Sequence, residues 1–483
     1  MPPNPIEVAP PQKASAPDYA EKGQAPPATG YDVTCYDVVI VGAGPGGLAA
    51  AILLARANRK IVCIEAEPFP RERVGESLDW STPALLQTLG LPSELLIEQR
   101  VGTHKRKIRV EPVGEPVFGA QPDEYKFLSK RPFEFEVSTL HVDRTQMDMR
   151  LFRMAQDLGV TFVWDRIKRV ETAGDRVLAC WTARSGQFIG RWFVDASGRA
   201  QLFARALRIP KAEYGRLKTC LWTYFKSPCI YDGTTFFTDG GAEYLSWIWE
   251  IPITPDTVSV GYVVSAEEFR QLRLPEQSVK NVLLGAMARF PQLQQLAVEH
   301  PDFRVRTCSW RSYVQRRVSG LNWLMVGESA ALPDPLTSNG VTAAFRHAQQ
   351  AAHVLLEAET ARTLHQRQRR AYETNVRRMG HIYNYCIERV IYAPSVRRGL
   401  STDVALRVYA HFGYLINALF AKFEPRRPPG LFLFGLLLLG VRVWMEIWTV
   451  LGKLGILLCR FRRWRHLSGP TPLSAPRGAP QAF

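Results

Sequence analysis

The sequence predicts an α/β fold organised around a Rossmann-like nucleotide-binding domain. The first observation is the run YDVVIVGAGPGGLAAAILLARANRKIVCIEAE (36–67), in which an apolar strand, a glycine-rich turn, a helix and a second strand follow one another. The second is LSWIWEIPIT (245–254), whose alternation is typical of a half-buried strand outside that unit. A chain of 483 residues can bury one large core or two linked domains.

The composition is that of a folded protein with a basic balance. The chain is 46% hydrophobic and has a formal net charge of +16, which favours an anionic cofactor, carrier protein, membrane face or nucleic acid as partner. Much of the excess lies near the C-terminus, in 424–430 and 460–466. The segment 364–386 is interpreted as a charged, solvated helix. It contains no recognisable nucleic-acid-binding module, so no nucleic-acid partner is expected.

Metal and disulfide chemistry are not expected. The eight cysteines are scattered without a Cys-x-x-Cys pair, so neither a zinc site nor a disulfide framework is predicted, and reduced thiols of a cytoplasmic protein are the plain interpretation. His347 and His353 lie six residues apart on a predicted helix and therefore do not share a face.

The chain divides into four regions by composition. Residues 1–35 are rich in proline and alanine and predict a disordered tail without a secretory signal. Residues 36–395 predict the folded domain, and 396–466 an apolar, helical C-terminal region. Residues 467–483 predict a second disordered tail.

The glycine-rich turn predicts dinucleotide binding. Gly42, Gly44 and Gly47 fit G-x-G-x-x-G between a strand and a helix, with Ala43 inside the turn. The helix N-terminus offers free N–H groups to phosphates. Glu65 ends the second strand, where an acid can accept a hydrogen bond from a ribose hydroxyl. The alternative interpretation is a packing turn without ligand.

Four further segments resemble a known flavoprotein superfamily, the one that holds flavin-dependent halogenases and geranylgeranyl reductases. They are FPRERVGESLDWSTPALLQTLGLP (69–92), HVDRTQMDMRL (141–151), FVDASGR (193–199) and LMVGESAALPDPLTSNGVTAAFRHAQQAA (324–352), in the order that the superfamily has them. The resemblance implies an FAD-binding Rossmann-like domain with an inserted mixed β-sheet substrate domain.

The resemblance also implies which residues hold FAD. Beyond the glycine turn and Glu65, they are Arg71, Arg73, Arg144, Gly327, Glu328 and Asp334. The superfamily usually has Gly-Asp where this chain has Gly327-Glu328. A glutamate can still accept a hydrogen bond from a ribityl hydroxyl, although its longer arm changes the geometry.

The tryptophan-rich strand resembles the W-x-W-x-I-P motif of flavin-dependent halogenases. The matching residues are Trp247, Trp249, Ile251 and Pro252. In that family the indole pair screens the flavin from the organic substrate. The alternative is that both tryptophans are ordinary core residues of a central strand.

A lysine after LGLPSELLIEQRVGTH (89–104) resembles the family's active-site lysine. The matching residue is Lys105, which opens a predicted strand. Its ammonium group can hydrogen bond hypohalous acid or form a haloamine, and desolvation would lower its pKa. In a strand, Lys105 and Lys107 share one face while Arg106 takes the other. Lys107 is therefore the other candidate for the active-site lysine. The alternative is that all three residues form a solvated basic run.

The loop DPLTSNG (334–340) resembles the family's halide site. There the halide is expected near Ser338, Asn339 and Gly340, at the N-terminus of a predicted helix. Tryptophan-specific members carry a glutamate in this loop, whereas this chain has Thr337 and Ser338. The difference favours a phenol, a pyrrole or a carrier-bound acyl group over free tryptophan.

The apolar segment 431–459 leaves three alternatives open. Its longest uncharged run, 431–441, is shorter than the roughly 20 residues that a membrane span needs. Basic and tryptophan-rich edges suit an in-plane helix at a membrane surface. A helical lid over the substrate pocket fits equally well, and a true span fits least.

The resemblance implies a function. It is an FADH2-dependent halogenase that installs chlorine or bromine through a flavin hydroperoxide and hypohalous acid. A separate flavin reductase is expected to supply reduced FAD, because the chain has a single dinucleotide fingerprint. The alternatives are an FAD-dependent monooxygenase or prenyl-type reductase, and a non-catalytic membrane-associated flavoprotein. A cytoplasmic location is expected, with peripheral attachment at the inner membrane face as the variant.

Overall fold

The computed structural model describes most of the predicted folded domain. The described residues are 35–113, 133–228, 231–239, 244–273, 278–358, 361–392 and 447. The predicted tails, apart from Cys35, and the apolar C-terminal region, apart from Ile447, lie outside them. No helix within the described ranges is long and apolar enough to span a membrane.

The described residues form strands in two sheets, with helices between them. The strands are β1 (Cys35–Val41), β2 (Ile61–Glu65), β3 (Gly102–Val113), β4 (Phe133–Val142), β5 (Thr161–Trp164), β6 (Ile167–Ala173), β7 (Arg176–Thr182), β8 (Gln187–Asp195), β9 (Lys211–Phe225), β10 (Gly233–Asp239), β11 (Ser246–Thr254), β12 (Thr257–Ser265), β13 (Arg306–Gln315), β14 (Trp323–Met325) and β15 (Ala331–Leu332).

The helices follow the predicted pattern around the glycine turn and around the segment 324–352, which we call the late motif. They are α1 (Pro45–Arg56), α2 (Thr82–Thr88), α3 (Ser93–Glu98), α4 (Arg144–Asp157), α5 (Leu202–Ala206), α6 (Ala266–Leu272), α7 (Val279–Met287), α8 (Pro291–Glu299), α9 (Gly340–Glu357) and α10 (Gln366–Cys386). A π-helical turn, Ile387–Tyr392, continues α10.

The first sheet is the predicted Rossmann-like unit. Its order is β5-β2-β1-β8-β7-β6, with β14 added beside β8. The pairs of β1 with β2 and β8, of β2 with β5 and of β8 with β14 are parallel. Every residue of β2 is buried, as expected for a parallel strand with both faces covered.

The glycines of the turn allow the backbone to pack closely. Gly42 has φ +98°, and a Cβ there would lie 2.4 Å from the carbonyl oxygen of Ala196. A Cβ on Gly47 would lie 1.9 Å from the carbonyl oxygen of Gly42. Larger residues at either position would push α1 away from β1 and β8.

The second sheet confirms the inserted mixed sheet. Its order is β15-β13-β9-β12-β11-β10-β3-β4, and all of its pairs are antiparallel except β10 with β3. Two excursions of the chain, β3–β4 and β9–β13, build most of it, and the chain returns to the first sheet after each.

Strand β11 is buried on both faces. Trp247, Trp249 and Ile251 belong to one apolar cluster. Ile248, on the other face, belongs to a second cluster with residues of α7 and α8. The alternation in the sequence predicts a strand with one buried face and one face towards solvent. In the structure both faces are buried, because α7 and α8 cover the face that was expected to meet solvent.

A glycine on β12 makes room for one of the tryptophans. Gly261 is the cross-strand partner of Trp249, and a Cβ on Gly261 would lie 2.2 Å from Cζ2 of the indole. The indole therefore lies across the glycine, as is expected where a strand glycine allows close approach. The sequence carries no motif that marks Gly261.

Gly261→Ala is expected to displace the Trp249 indole. Overpacking of this kind costs about 1 to 3 kcal/mol of unfolding free energy, which urea denaturation measures, and tryptophan fluorescence should shift in the native state. Gly285→Ala is the matched control, because Gly285 is exposed in α7 and a Cβ there meets nothing within 4 Å. That control should gain about 0.5 to 1 kcal/mol. Equal stability of the two variants would contradict the assigned contact.

Candidate functional site

A cavity of about 940 Å³ extends from the glycine turn to the tryptophan pair, Trp247 and Trp249. This volume suits a large cofactor, since ligand pockets typically measure about 300 to 1,000 Å³. The structure thus brings most of the predicted site residues to one cavity. Those on its wall are Gly42, Gly44, Glu65, Arg71, Arg73, Arg144, Trp247, Trp249, Ile251, Gly327, Glu328, Ser338 and Gly340.

The glycine turn fits a dinucleotide phosphate. A Cβ on Gly44 would meet nothing within 4 Å, and Gly44 lies on the cavity wall immediately before α1. Oε2 of Glu65 accepts a hydrogen bond from the Ala43 N–H at 2.7 Å, and Oε1 pairs with Arg71 at 2.7 Å. The open wall at Gly44 and the helix N-terminus form an anion site, as a pyrophosphate requires.

The late motif lies beside several arginines. Burial raises the pKa of Glu328, and the positive charges of Arg199, Arg144 and Arg73 oppose that rise. The backbone N–H of Gly327 donates to Nδ1 of the buried His347 at 3.2 Å. Guanidinium groups around a buried carboxyl suit a ligand with both phosphates and hydroxyls, so these residues fit FAD.

Arg144 is held in place by contacts within the protein. It begins α4, where the Asp143 side chain accepts hydrogen bonds from Thr145 and Gln146 N–H. Its guanidinium pairs with Asp148 at 2.9 Å and donates to the Val74 carbonyl at 3.2 Å. The side chain is therefore fixed beside the cavity.

The tryptophan pair is anchored at both indole nitrogens. The ring centroids are 5.8 Å apart, with 47° between the planes. Nε1 of Trp247 donates to the Tyr392 hydroxyl at 2.8 Å, and Nε1 of Trp249 donates to Oγ of Ser259 at 3.1 Å. Because their exposed fractions are 2% and 5%, both rings are fixed parts of the wall.

Lys105 is buried, and the two residues that follow are not. It lies in β3 with 3% of its surface exposed, whereas Arg106 is exposed and Lys107 is half-buried. Nζ of Lys105 donates to Oγ of Ser77 at 2.9 Å and to the Leu78 carbonyl at 3.3 Å. Burial lowers its pKa from 10.5 to about 8, while the Asp79 carboxylate opposes the shift.

A serine connects Lys105 with the predicted halide loop. Lys105 is not on the cavity wall, but Ser77 and Ser338 are, and Oγ of Ser338 donates to Oγ of Ser77 at 3.0 Å. Ser338 has φ +56°, which turns the chain into the start of α9. Gly340 reaches the cavity wall, whereas Asn339 caps α9 without lying on that wall.

A buried histidine extends this polar chain, although no sequence pattern predicts its role. Ser77 contacts Oγ1 of Thr234 at 3.4 Å, and Thr234 contacts Nε2 of His141 at 2.8 Å. Nδ1 of His141 lies 3.2 Å from Oγ1 of Thr103, whose hydroxyl also donates to the Pro252 carbonyl. Burial, reinforced by the Lys105 charge, lowers the pKa of His141 well below its usual value.

Asp334, predicted to bind FAD, is turned away from the cavity. Its Oδ2 pairs with Nζ of Lys218 at 3.0 Å, and both side chains are fully buried. Its Oδ1 accepts hydrogen bonds from the Leu336 N–H at 3.1 Å and the Tyr392 hydroxyl at 3.2 Å. The carboxylate therefore stabilises the predicted halide loop from the side away from the cavity, where it pairs with a buried cation.

Lys218, Asp334, Glu388 and Tyr392 form what we call the Lys218 cluster. Lys218 also pairs with Glu388 and lies 4.4 Å from the Tyr392 ring centroid. Since Tyr392 accepts the Trp247 hydrogen bond and donates to Asp334, the cluster supports the tryptophan pair and the halide loop together.

Comparison with known proteins places the chain in a family. Residues 37–128 and 130–390 match the family model described as tryptophan halogenase. A relative named Tryptophan 2-halogenase, from Chondromyces crocatus, is 33% identical over 327 residues, which cover 65% of this chain and 60% of that protein. The chain thus spans less than two thirds of that relative.

Two further comparisons concern carrier-bound substrates and the fold. A 1H-pyrrole-2-carbonyl peptidyl-carrier protein brominase from Pseudoalteromonas luteoviolacea is 27% identical over 342 residues, covering 67% of this chain and 78% of that protein. The solved structure of a flavin-dependent brominase matches with a TM-score of 0.65 at 21% identity, covering 78% of this chain and 90% of that one. At that identity the likeness establishes the fold.

Lys218→Met is expected to cost about 3 to 5 kcal/mol of unfolding free energy, because it leaves two buried carboxyls without their cation. Urea denaturation measures the loss. Lys211→Met is the matched control on the same strand, since Lys211 and its partner Glu213 are each 38% exposed, and it should change stability by less than about 1 kcal/mol. If both variants lose similar unfolding free energy, the loss in Lys218→Met does not come from the Lys218 cluster.

The stability of the parent protein is expected to depend on Lys105 above pH 8. Its folded pKa of about 8 lies below the ordinary 10.5, so the unfolded chain binds the proton more tightly between those values. Stability due to this group therefore rises with pH across that window, by up to about 3 kcal/mol.

Lys105→Met should lack that rise, so its unfolding free energy relative to the parent should fall from pH 7 to pH 10. Lys107→Met is the control for losing a lysine from the same strand. If the two variants show the same pH dependence, the low pKa does not belong to Lys105.

Proposed function

Because the chain belongs to the flavin-dependent halogenase family, we propose that it is an FADH2-dependent halogenase acting on an electron-rich organic substrate. The observation that carries the proposal is the position of Lys105. It is a buried amine of lowered pKa, joined through Ser77 to a cavity that also contains the glycine turn and the tryptophan pair. A monooxygenase needs the glycine turn but has no use for the buried amine.

FAD, reduced by a separate flavin reductase, supplies when bound the oxygen chemistry that converts chloride or bromide into hypohalous acid. The glycine turn and Glu65 would hold its adenosine half. Arg144, Gly327 and Glu328 would hold the remainder, assisted by Arg71 and Arg73. The protein contributes orientation and charge, since none of these residues is itself a redox group.

The tryptophan pair would exclude the organic substrate from the flavin part of the cavity. Each indole is fixed by its own hydrogen bond, so the wall need not reorganise when a ligand binds. Gly340 and the N-terminus of α9 would bind the halide, with Asn339 and Ser338 shaping the turn. A small anion or hypohalous acid passes where an aromatic ring cannot.

Lys105 would present the halogen to the substrate. A pKa of about 8 leaves a useful fraction of neutral amine near pH 8 while the remainder stays protonated. The ammonium form can hydrogen bond hypohalous acid, and the neutral amine can attack it to form a haloamine. Ser77 accepts a hydrogen bond from Nζ in this structure and therefore orients the amine.

The halide loop guides the choice of substrate. It has Thr337 and Ser338 where tryptophan-specific members are expected to carry a glutamate, and one relative is named for a carrier-bound pyrrole. We therefore favour a phenol, a pyrrole or a carrier-bound acyl group, chlorinated or brominated, over free tryptophan.

The function is tested by intact-product mass spectrometry with a flavin reductase, FAD, NADH and bromide. The panel contains free tryptophan, phenols, pyrrole-2-carboxylate and carrier-bound pyrrole. We expect a product with the bromine isotope pattern, and a loss of about 10²-fold or more in rate for Lys105→Ala.

Lys107→Ala is the matched control and should keep the parent rate within about twofold, because Lys107 is half-buried and does not line the cavity. A product that gains one oxygen or two hydrogens would identify a monooxygenase or a reductase. Oxidation of reduced flavin without any product across the panel would favour a non-catalytic flavoprotein. Bromination of tryptophan alone would overturn the substrate class.

A further inference from the structure

Two cysteines face each other on the wall of the cavity. Cys220 on β9 and Cys308 on β13 are direct cross-strand partners in an antiparallel pair. Directly opposed residues of such a pair have Cα atoms about 4.5 to 5.5 Å apart, which lies within the range that a disulfide spans. Both residues lie on the cavity wall.

The two thiols differ in environment. Cys308 is half-buried, and its interactions with the Cys220 thiol and the Arg199 guanidinium lower its pKa, although burial opposes the shift. Cys220 is buried, which raises the pKa of its thiol well above the usual value. Cys308 therefore has the accessible thiolate character of an attacking cysteine, and Cys220 that of a resolving cysteine.

We propose that Cys220 and Cys308 form a reversible disulfide when peroxide enters the cavity. The Cys308 sulfur attacks one oxygen of hydrogen peroxide, the O–O bond breaks, and the released hydroxide leaves as water after taking a proton. The resulting sulfenic acid is attacked by the Cys220 sulfur. The S–O bond breaks, and the second hydroxide leaves as water with the Cys220 proton. The two thiols together lose two electrons, and the peroxide gains them.

The other described cysteines lack this arrangement. Cys63 and Cys180 are buried, and burial raises the pKa of each thiol. Cys35 is exposed at the start of β1, and no cysteine lies opposite it in the register of that strand. Peroxide oxidation of the full chain is therefore expected to favour the pair over these three thiols.

The test is stepwise oxidation of the full-length protein with hydrogen peroxide, followed by alkylation, digestion and peptide mapping. We expect one disulfide-linked pair of peptides containing Cys220 and Cys308, a loss of two hydrogens from the intact mass, and full reversal by dithiothreitol. The proposal is wrong if peroxide at a concentration that oxidises Cys35 leaves both Cys220 and Cys308 able to react with the alkylating agent after unfolding.

Two variants test the order of attack. In Cys220→Ser, dimedone should label Cys308, because the sulfenic acid has no resolving thiol. In Cys308→Ser, dimedone should leave Cys220 unlabelled. Cys180→Ser is the matched control and should form the linked peptides at the parent level. Labelling of Cys220 in Cys308→Ser would overturn the assigned roles. The parent mapping needs neither variant to fold and does not depend on halogenase activity.

Discussion

The buried charge of Lys218 is the interaction on which two walls of the cavity depend. Burying an ammonium costs several kcal/mol of desolvation unless nearby charges offset it, and here Asp334 and Glu388 do so from segments far apart in the chain. Asp334 accepts a hydrogen bond from the Leu336 N–H within the loop 334–340, and Tyr392 accepts one from the Trp247 indole. Loss of the ion pair is therefore expected to disturb both the loop 334–340 and the tryptophan pair.

Burial also determines the pKa of Lys105, but here it shifts that pKa in the opposite direction. This lysine is also buried, but its Nζ donates to Ser77 and to the Leu78 carbonyl, and the Asp79 charge only partly offsets the effect of burial on its pKa. Burial therefore lowers the pKa of Lys105, whereas the ion pairs raise that of Lys218. Lys218 thus keeps its proton, while Lys105 can release its proton near pH 8.

The parts of the fold that depend on local order could be predicted from the sequence. The glycine turn and the strand at β11 follow from residues close together in the chain, whereas the burial of the second face of β11 depends on α7 and α8. Asp334 was assigned to the cofactor for the same reason, because it lies within a motif, but a cation from β9 turns it away from the cavity. Gly261 and His141 were missed because their roles arise from partners on other strands, which no local pattern reveals.

The cavity wall contains side chains that oxidants attack. Indoles and thiols are both electron-rich, so each is a target for an oxidant that enters the cavity. The indoles of the tryptophan pair are almost fully buried with both nitrogens engaged, whereas Cys308 presents a half-buried thiol beside Arg199. Stray oxidant that reaches this wall therefore meets the thiol more readily than the indole pair. An oxidised thiol pair can be reduced again, whereas a halogenated indole cannot be restored. The greater exposure of the thiol therefore protects the indoles, whose damage is irreversible.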